Sequence, residues 1–159
     1  MSLESGRETG EASPCIIKTC VDNVEFQAAH VTPINGVLTL HGHSFKLTLC
    51  VSGKLRRSGW VVDFLKLRDV VRSVVSQYDN ALLISRRFSE SIRVSGNFTV
   101  KLMIIDGPPT AENIAIEICR EVGKALLKAG INGFSHVEVR LWEGSDFHAE
   151  VMCGSGSGT

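Results

Sequence analysis

At 159 residues the chain is the size of one domain with a real core, and its 17 basic and 17 acidic residues leave no formal net charge. No block of like charge signals a nucleic-acid or anionic-membrane surface, and no apolar run reaches the length of a membrane span. The opening Met1-Ser2-Leu3-Glu4-Ser5-Gly6-Arg7 is too polar for a signal peptide, so a cytoplasmic protein is expected.

Residues 1–13, rich in Ser, Gly and Glu, have the composition of a disordered leader, and the ordered domain is expected over 14–153. Residues 16–29 read as a first strand, with Asp22-Asn23 marking a bulge or bend. Val31-Thr32-Pro33-Ile34-Asn35-Gly36 carries turn chemistry, and a second strand runs from about Val37 to Ser52 with Phe45, Leu47, Leu49 and Val51 alternating against polar neighbours. Together they form a long hairpin.

Three of the five histidines lie on that hairpin. His41 and His43 are spaced i, i+2, which on a strand places both rings on one face about 6–7 Å apart. Antiparallel pairing brings His30 back beside them. Three imidazoles with an open fourth position form the donor set of a catalytic zinc rather than a structural one. The histidines share the parity of Phe45 and Leu47, so the site is expected to be desolvated.

After the hairpin, Asp63 is placed to cap a helix over 64–78 whose Leu67, Val70, Val71, Val74 and Val75 form an inward stripe. An extra strand is expected over 98–105, closed by Asp106-Gly107-Pro108-Pro109. Thr110 caps a second helix with Ile114, Ile118, Val122 and Leu126 inward, ending at Gly130. A last hairpin follows, with Val137, Val139 and Leu141 alternating before the turn Gly144-Ser145-Asp146, and residues 154–159 read as a flexible tail. Glu143 has the parity of the apolar residues before it, but a solvated place in the turn is equally compatible with its spacing. The five cysteines include no C-x-x-C pair and are expected to be reduced, mostly core residues. The expected class is α+β, strand-strand-helix-helix-strand-strand, an antiparallel sheet with helices on one face.

Taken together, Phe26-Gln27-Ala28-Ala29-His30, Leu40-His41-Gly42-His43-Ser44-Phe45, Gly59-Trp60-Val61-Val62-Asp63-Phe64, Pro109-Thr110-Ala111-Glu112-Asn113 and Trp142-Glu143 resemble, in order, the motifs of the 6-pyruvoyltetrahydropterin and 6-carboxytetrahydropterin synthase family. The resemblance implies the tunnelling fold, a homo-oligomer, usually a hexamer with active sites between subunits, and a small-molecule pterin substrate, 7,8-dihydroneopterin triphosphate or a close relative. It also implies a Zn2+ ion on His30, His41 and His43, Glu143 accepting hydrogen bonds from the pterin ring, and Thr110 at the substrate. No nucleic acid or membrane partner is implied.

Two departures touch proton transfer. Residues 31–40 contain no cysteine, Val37 standing where the family usually carries its base, and the family's Asp-His after the first helix is Asp79-Asn80 here. A base would then have to come from Asp79 or His148. The expected activity is a zinc-dependent lyase on the pterin side chain. The alternatives are an aldolase-like cleavage of dihydroneopterin and a non-catalytic pterin or purine-like binder. Residues 86–108 are a segment whose relation to the pocket the sequence leaves open.

Overall fold

Two strands of unusual length carry the histidines. The chain, described by a computed structural model over residues 14–155, folds as β1 (Ile16–Ile34), β2 (Val37–Lys54), α1 (Phe64–Val75), β3 (Ala81–Ser85), a 3-10 turn at Arg86–Phe88, β4 (Lys101–Ile105), α2 (Ala111–Lys128), β5 (Phe134–Glu143) and β6 (Phe147–Gly154). The expected leader lies outside the described residues. Of the expected tail, Gly154 instead ends β6, and residues 156–159 lie outside the description.

The strand continues through Val31–Ile34, where turn chemistry in the sequence predicts a connection. The turn is only Asn35-Gly36, both at positive φ (49° and 81°), the primed hairpin geometry that matches strand twist. Pro33 is tolerated within β1 although it has no N–H to give to the ladder. The bulge expected at Asp22-Asn23 is present: the register shifts between Val21 and Val24, and Asn23 has φ 57°. One extra residue reverses the facing of everything beyond it. Thr19 and Val21 therefore join the core parity of Val24, Phe26 and Ala28, and Cys20 turns to the opposite face, directly across from Cys50.

These two cysteines form a disulfide, which corrects the expectation of reduced thiols. Count and motif spacing could not have shown it, because the pairing depends on the bulge. With an uninterrupted register Cys20 would face Val51.

The six strands are ordered β4-β3-β1-β2-β5-β6. The fold is the expected α+β type, but the sheet is mixed: β3 pairs parallel to β1, and β4 parallel to β3, beside the antiparallel β1-β2-β5-β6 ladder. Strand β3 was not foreseen. Its five residues are all buried, so it lacks the alternation that would identify a half-exposed strand. The extra strand expected over 98–105 is present as the shorter β4.

Helix α1 begins where Asp63 accepts from the Leu65 and Lys66 backbone N–H groups, at 2.9 and 3.0 Å. It ends at Val75, one turn before the expected boundary, and Tyr78 packs into the core from the turn that follows. Helix α2 ends in a left-handed Gly130 (φ 75°), with Ile131 N–H returning to the Leu126 carbonyl at 2.9 Å. Inward residues of both helices pack with Phe26, Phe45, Leu47, Leu49, Val139 and Leu141 in one core. Each fully buried side chain of this kind contributes roughly 1.5–3 kcal/mol. Among the described residues no helix is long and apolar enough to cross a membrane.

Candidate metal and pterin site

The histidines sit at the end of the core face. His30 lies directly across from His41, Ala28 from His43, and Phe26 from Phe45 in the β1–β2 ladder. Phe26 and Phe45 stack with centroids 5.0 Å apart, and the Phe45 ring stands 5.8 Å from His30 and 5.9 Å from His43. This pair is an apolar floor that keeps water from beneath the imidazoles. Phe45 in turn pairs with Glu143, the last residue of β5. Glu143 thus belongs to the strand and the core face, with its side chain 25% exposed. Parity alone is equally compatible with this place and with a solvated one in the turn.

Backbone carbonyls orient two of the rings. His30 Nδ1 lies 2.7 Å from the Pro109 carbonyl and His41 Nδ1 3.2 Å from that of Thr39. A carbonyl can only accept, so each Nδ1 carries the hydrogen and each neutral ring presents a bare Nε2 lone pair. Those two Nε2 atoms are 3.0 Å apart. Two lone pairs at that distance repel unless a proton or a metal ion lies between them. His43 Nε2 is buried without a hydrogen-bond partner, although Glu143 Oε1 lies 3.2 Å away, close enough to attract but not aligned to bond. Burial lowers the His30 pKa, the larger influence over the opposing pull of the Pro109 carbonyl and the Glu143 charge.

One ligand atom from each of His30, His41, His43 and Glu143 lies within 4.8 Å of the others. The donor chemistry fits a borderline-soft divalent ion such as zinc, bound by imidazole nitrogen at about 2.0–2.1 Å. The carbonyls on the two Nδ1–H groups are the outer shell that commonly orients such ligands. Sequence spacing does not reveal these partners. The one on α2's approach could have been sought only in Pro109, beside the Thr110 motif.

The remaining expected site residues are placed differently. Thr110 is the N-cap of α2 by backbone conformation but makes no side-chain capping bond. The Glu112 carboxyl lies below the usual carboxylate range because of its own backbone N–H first and the Thr110 side chain second. Asp79 is occupied in structure: Oδ1 accepts the Gln27 backbone N–H at 2.8 Å and Oδ2 the Asn80 amide at 3.0 Å, tying the end of α1's connection to β1. His148 pairs across from Trp142, which alternates with Glu143, so His148 lies on the opposite face of the sheet. There its ring packs on Trp142 at 4.2 Å and faces Glu150 at 3.3 Å. The structure brings together the three histidines and Glu143, sets Thr110 beside the Pro109 carbonyl, and brings neither candidate base to them within this chain.

The sequence profile described as 6-pyruvoyl tetrahydropterin synthase matches residues 19–153. Among similar proteins, one from Pyrococcus furiosus named dihydroneopterin monophosphate aldolase is 34% identical, the alignment covering 79% of this chain and 90% of that protein. One from Archaeoglobus fulgidus named putative 6-carboxy-5,6,7,8-tetrahydropterin synthase is 31% identical, covering 81% and 90%. The solved structure of Plasmodium vivax 6-pyruvoyl tetrahydropterin synthase superposes with a TM-score of 0.74 at 21% identity, covering 88% of this chain and 99% of that one. At that identity the likeness establishes the fold.

Proposed function

Because the chain belongs to the 6-pyruvoyl tetrahydropterin synthase family, we propose that it is a zinc-dependent lyase acting on the side chain of a phosphorylated 7,8-dihydroneopterin. The observation that carries this reading is the convergence of three imidazole Nε2 atoms and one carboxylate on an apolar floor at the end of the core face. Zinc bound there would polarise a side-chain hydroxyl and lower its pKa. His30 and His41 keep their lone pairs directed inward through the Pro109 and Thr39 carbonyls. Glu143, acceptor-only when ionised, takes the paired N–H donors of the pterin ring. Phe26 and Phe45 exclude water beneath the reacting carbons.

Carbon–carbon cleavage fits this set of side chains better than carbon–oxygen elimination. Elimination requires a proton to be taken from carbon, and among the described residues no thiol or further imidazole joins the four-residue cluster. In a retro-aldol cleavage the 2′ hydroxyl, a far stronger acid than a carbon, gives its proton to solvent water, that oxygen becomes a carbonyl, and the C1′–C2′ bond breaks. The electron pair passes into the ring imine and C1′ is then protonated, so the reaction needs no external oxidant or co-reactant. The similarity to a protein named as an aldolase supports the same choice.

Incubating the zinc-loaded protein with dihydroneopterin monophosphate and with the triphosphate tests this. The expected products of the monophosphate are 6-hydroxymethyl-7,8-dihydropterin and glycolaldehyde phosphate. Release of inorganic triphosphate from the triphosphate would identify elimination instead. Consumption of neither compound would reduce the chain to a pterin binder.

A further inference from the structure

Residues 106–109 lead into α2, and the consecutive Pro108 and Pro109 have no backbone N–H to give. The shape of this approach therefore depends on what its carbonyls accept. The Pro108 carbonyl accepts twice: from the Thr110 backbone N–H at 2.8 Å, closing a γ-turn centred on Pro109, and from the Asn113 side-chain amide at 2.8 Å. A carbonyl only accepts, so it is Nδ2 of Asn113 that faces it. The amide sits tightly against the loop, since a Cβ at Gly107 would come within 3.0 Å of Asn113 Nδ2. Asn113 itself stands in the first turn of α2, a helix fixed in the core by its neighbour Ile114 and by Ile118.

These contacts reach His30 through one rigid unit. The Thr110 N–H and the Pro109 C=O belong to the same planar peptide group. Binding that N–H to Pro108 fixes the direction of the carbonyl on the other side of the plane, and this carbonyl lies 2.7 Å from His30 Nδ1. His41 is oriented differently. Its Nδ1 faces the Thr39 carbonyl of its own strand, two residues away, with no contribution from α2.

We infer that Asn113 is a positioning residue for the metal site: by holding the Pro108–Pro109 turn it keeps the His30 Nδ1–H bound and the Nε2 lone pair aimed into the cluster. Asn113 touches neither the histidines nor Glu143 and acts only through the backbone of the turn. The inference rests on the metal site of the proposed function and adds the residue that couples α2 to one of its ligands. Partners behind a metal ligand fix its tautomer and ring orientation, and their loss weakens metal binding without removing any ligand.

The test compares the zinc-loaded full chain with Asn113→Asp and Asn113→Ala. Aspartate matches asparagine in size and suits the first turn of a helix, but it sets an acceptor against the Pro108 carbonyl in place of a donor. Zinc affinity, measured by competition with a chromophoric chelator, is expected to fall about tenfold in Asn113→Asp, the lower end of what loss of an outer partner costs, and by less in Asn113→Ala. Nitrogen-15 NMR of the imidazoles separates positioning from general loosening. The His30 Nδ1–H signal should shift or be lost to exchange with solvent in both variants, while the His41 Nδ1–H keeps its wild-type position. Wild-type zinc affinity in either variant would overturn the inference, and so would a displacement of both rings together; each of these results leaves the metal site standing. A wild type that takes up no zinc would overturn the metal site and this inference together.

Discussion

His30 and His41 face each other across the hairpin with bare Nε2 atoms 3.0 Å apart, and His43 adds a buried nitrogen without a hydrogen-bond partner. Such an arrangement is unfavourable empty and favourable around a cation. His43→Ala is expected to lose the metal measured by plasma emission on purified protein; a full equivalent in the variant would remove His43 from the ligand set. Burial holds the His30 pKa below its unfolded value near 6.5. The unfolded chain therefore takes up the proton first as pH falls. This contribution to stability is present above 6.5 and is lost as pH falls through the lower, folded value, and metal occupancy falls in the same direction. A pH titration of bound metal checks the sign. Glu143→Gln exchanges one acceptor oxygen for a donor that faces ring N–H groups, and should weaken pterin binding by about 1–3 kcal/mol with metal content preserved. Loss of the metal instead would make Glu143 a fourth ligand rather than an anchor.

Between β1 and β2 the bulge at Asp22-Asn23 separates two registers, one that aligns the histidines and one that aligns Cys20 with Cys50. The disulfide joins residues 30 apart in sequence, at the far end of the hairpin from the histidines. Closing a loop of that size removes conformational freedom chiefly from the unfolded chain, a contribution of about 2–4 kcal/mol. Cys50→Ser should therefore unfold at lower denaturant concentration than the oxidised wild type, and reductant should bring the wild type down to the variant. Identical midpoints without reductant would show that the bond contributes nothing. Cys119 stays apart from this chemistry: it is buried on α2, its thiol donating to the Val137 carbonyl of β5 at 3.3 Å, and burial pushes its pKa up.

In the whole sheet the open edges are β4 and β6. Leu102 and Ile104 are 49% and 40% exposed on the first, and Phe147 and Met152 76% and 62% on the second. Unpaired edges bearing apolar side chains are stabilised by pairing with other chains. The homo-oligomer implied by the family resemblance would cover them. Analytical ultracentrifugation is expected to show a multimer, with a hexamer as the proposed size, and a monomer at micromolar concentration would overturn that assembly.

The metal-facing parity was legible because a strand's two-residue period is a local property: His41, His43 and Phe45 share a face whatever surrounds them, and the Asn35-Gly36 turn returns His30 beside them. Asp63 and Gly130 were legible as helix boundaries for the same reason, since a cap acts within one turn. Only the tertiary structure placed β3, whose five buried residues have no alternation, and made its pairing with β1 parallel. Only it set His148 on the opposite face, engaged Asp79 with Gln27, and brought the Pro109 carbonyl 79 positions along the chain to His30. Those placements depend on which distant segments share a core, and no local period encodes that.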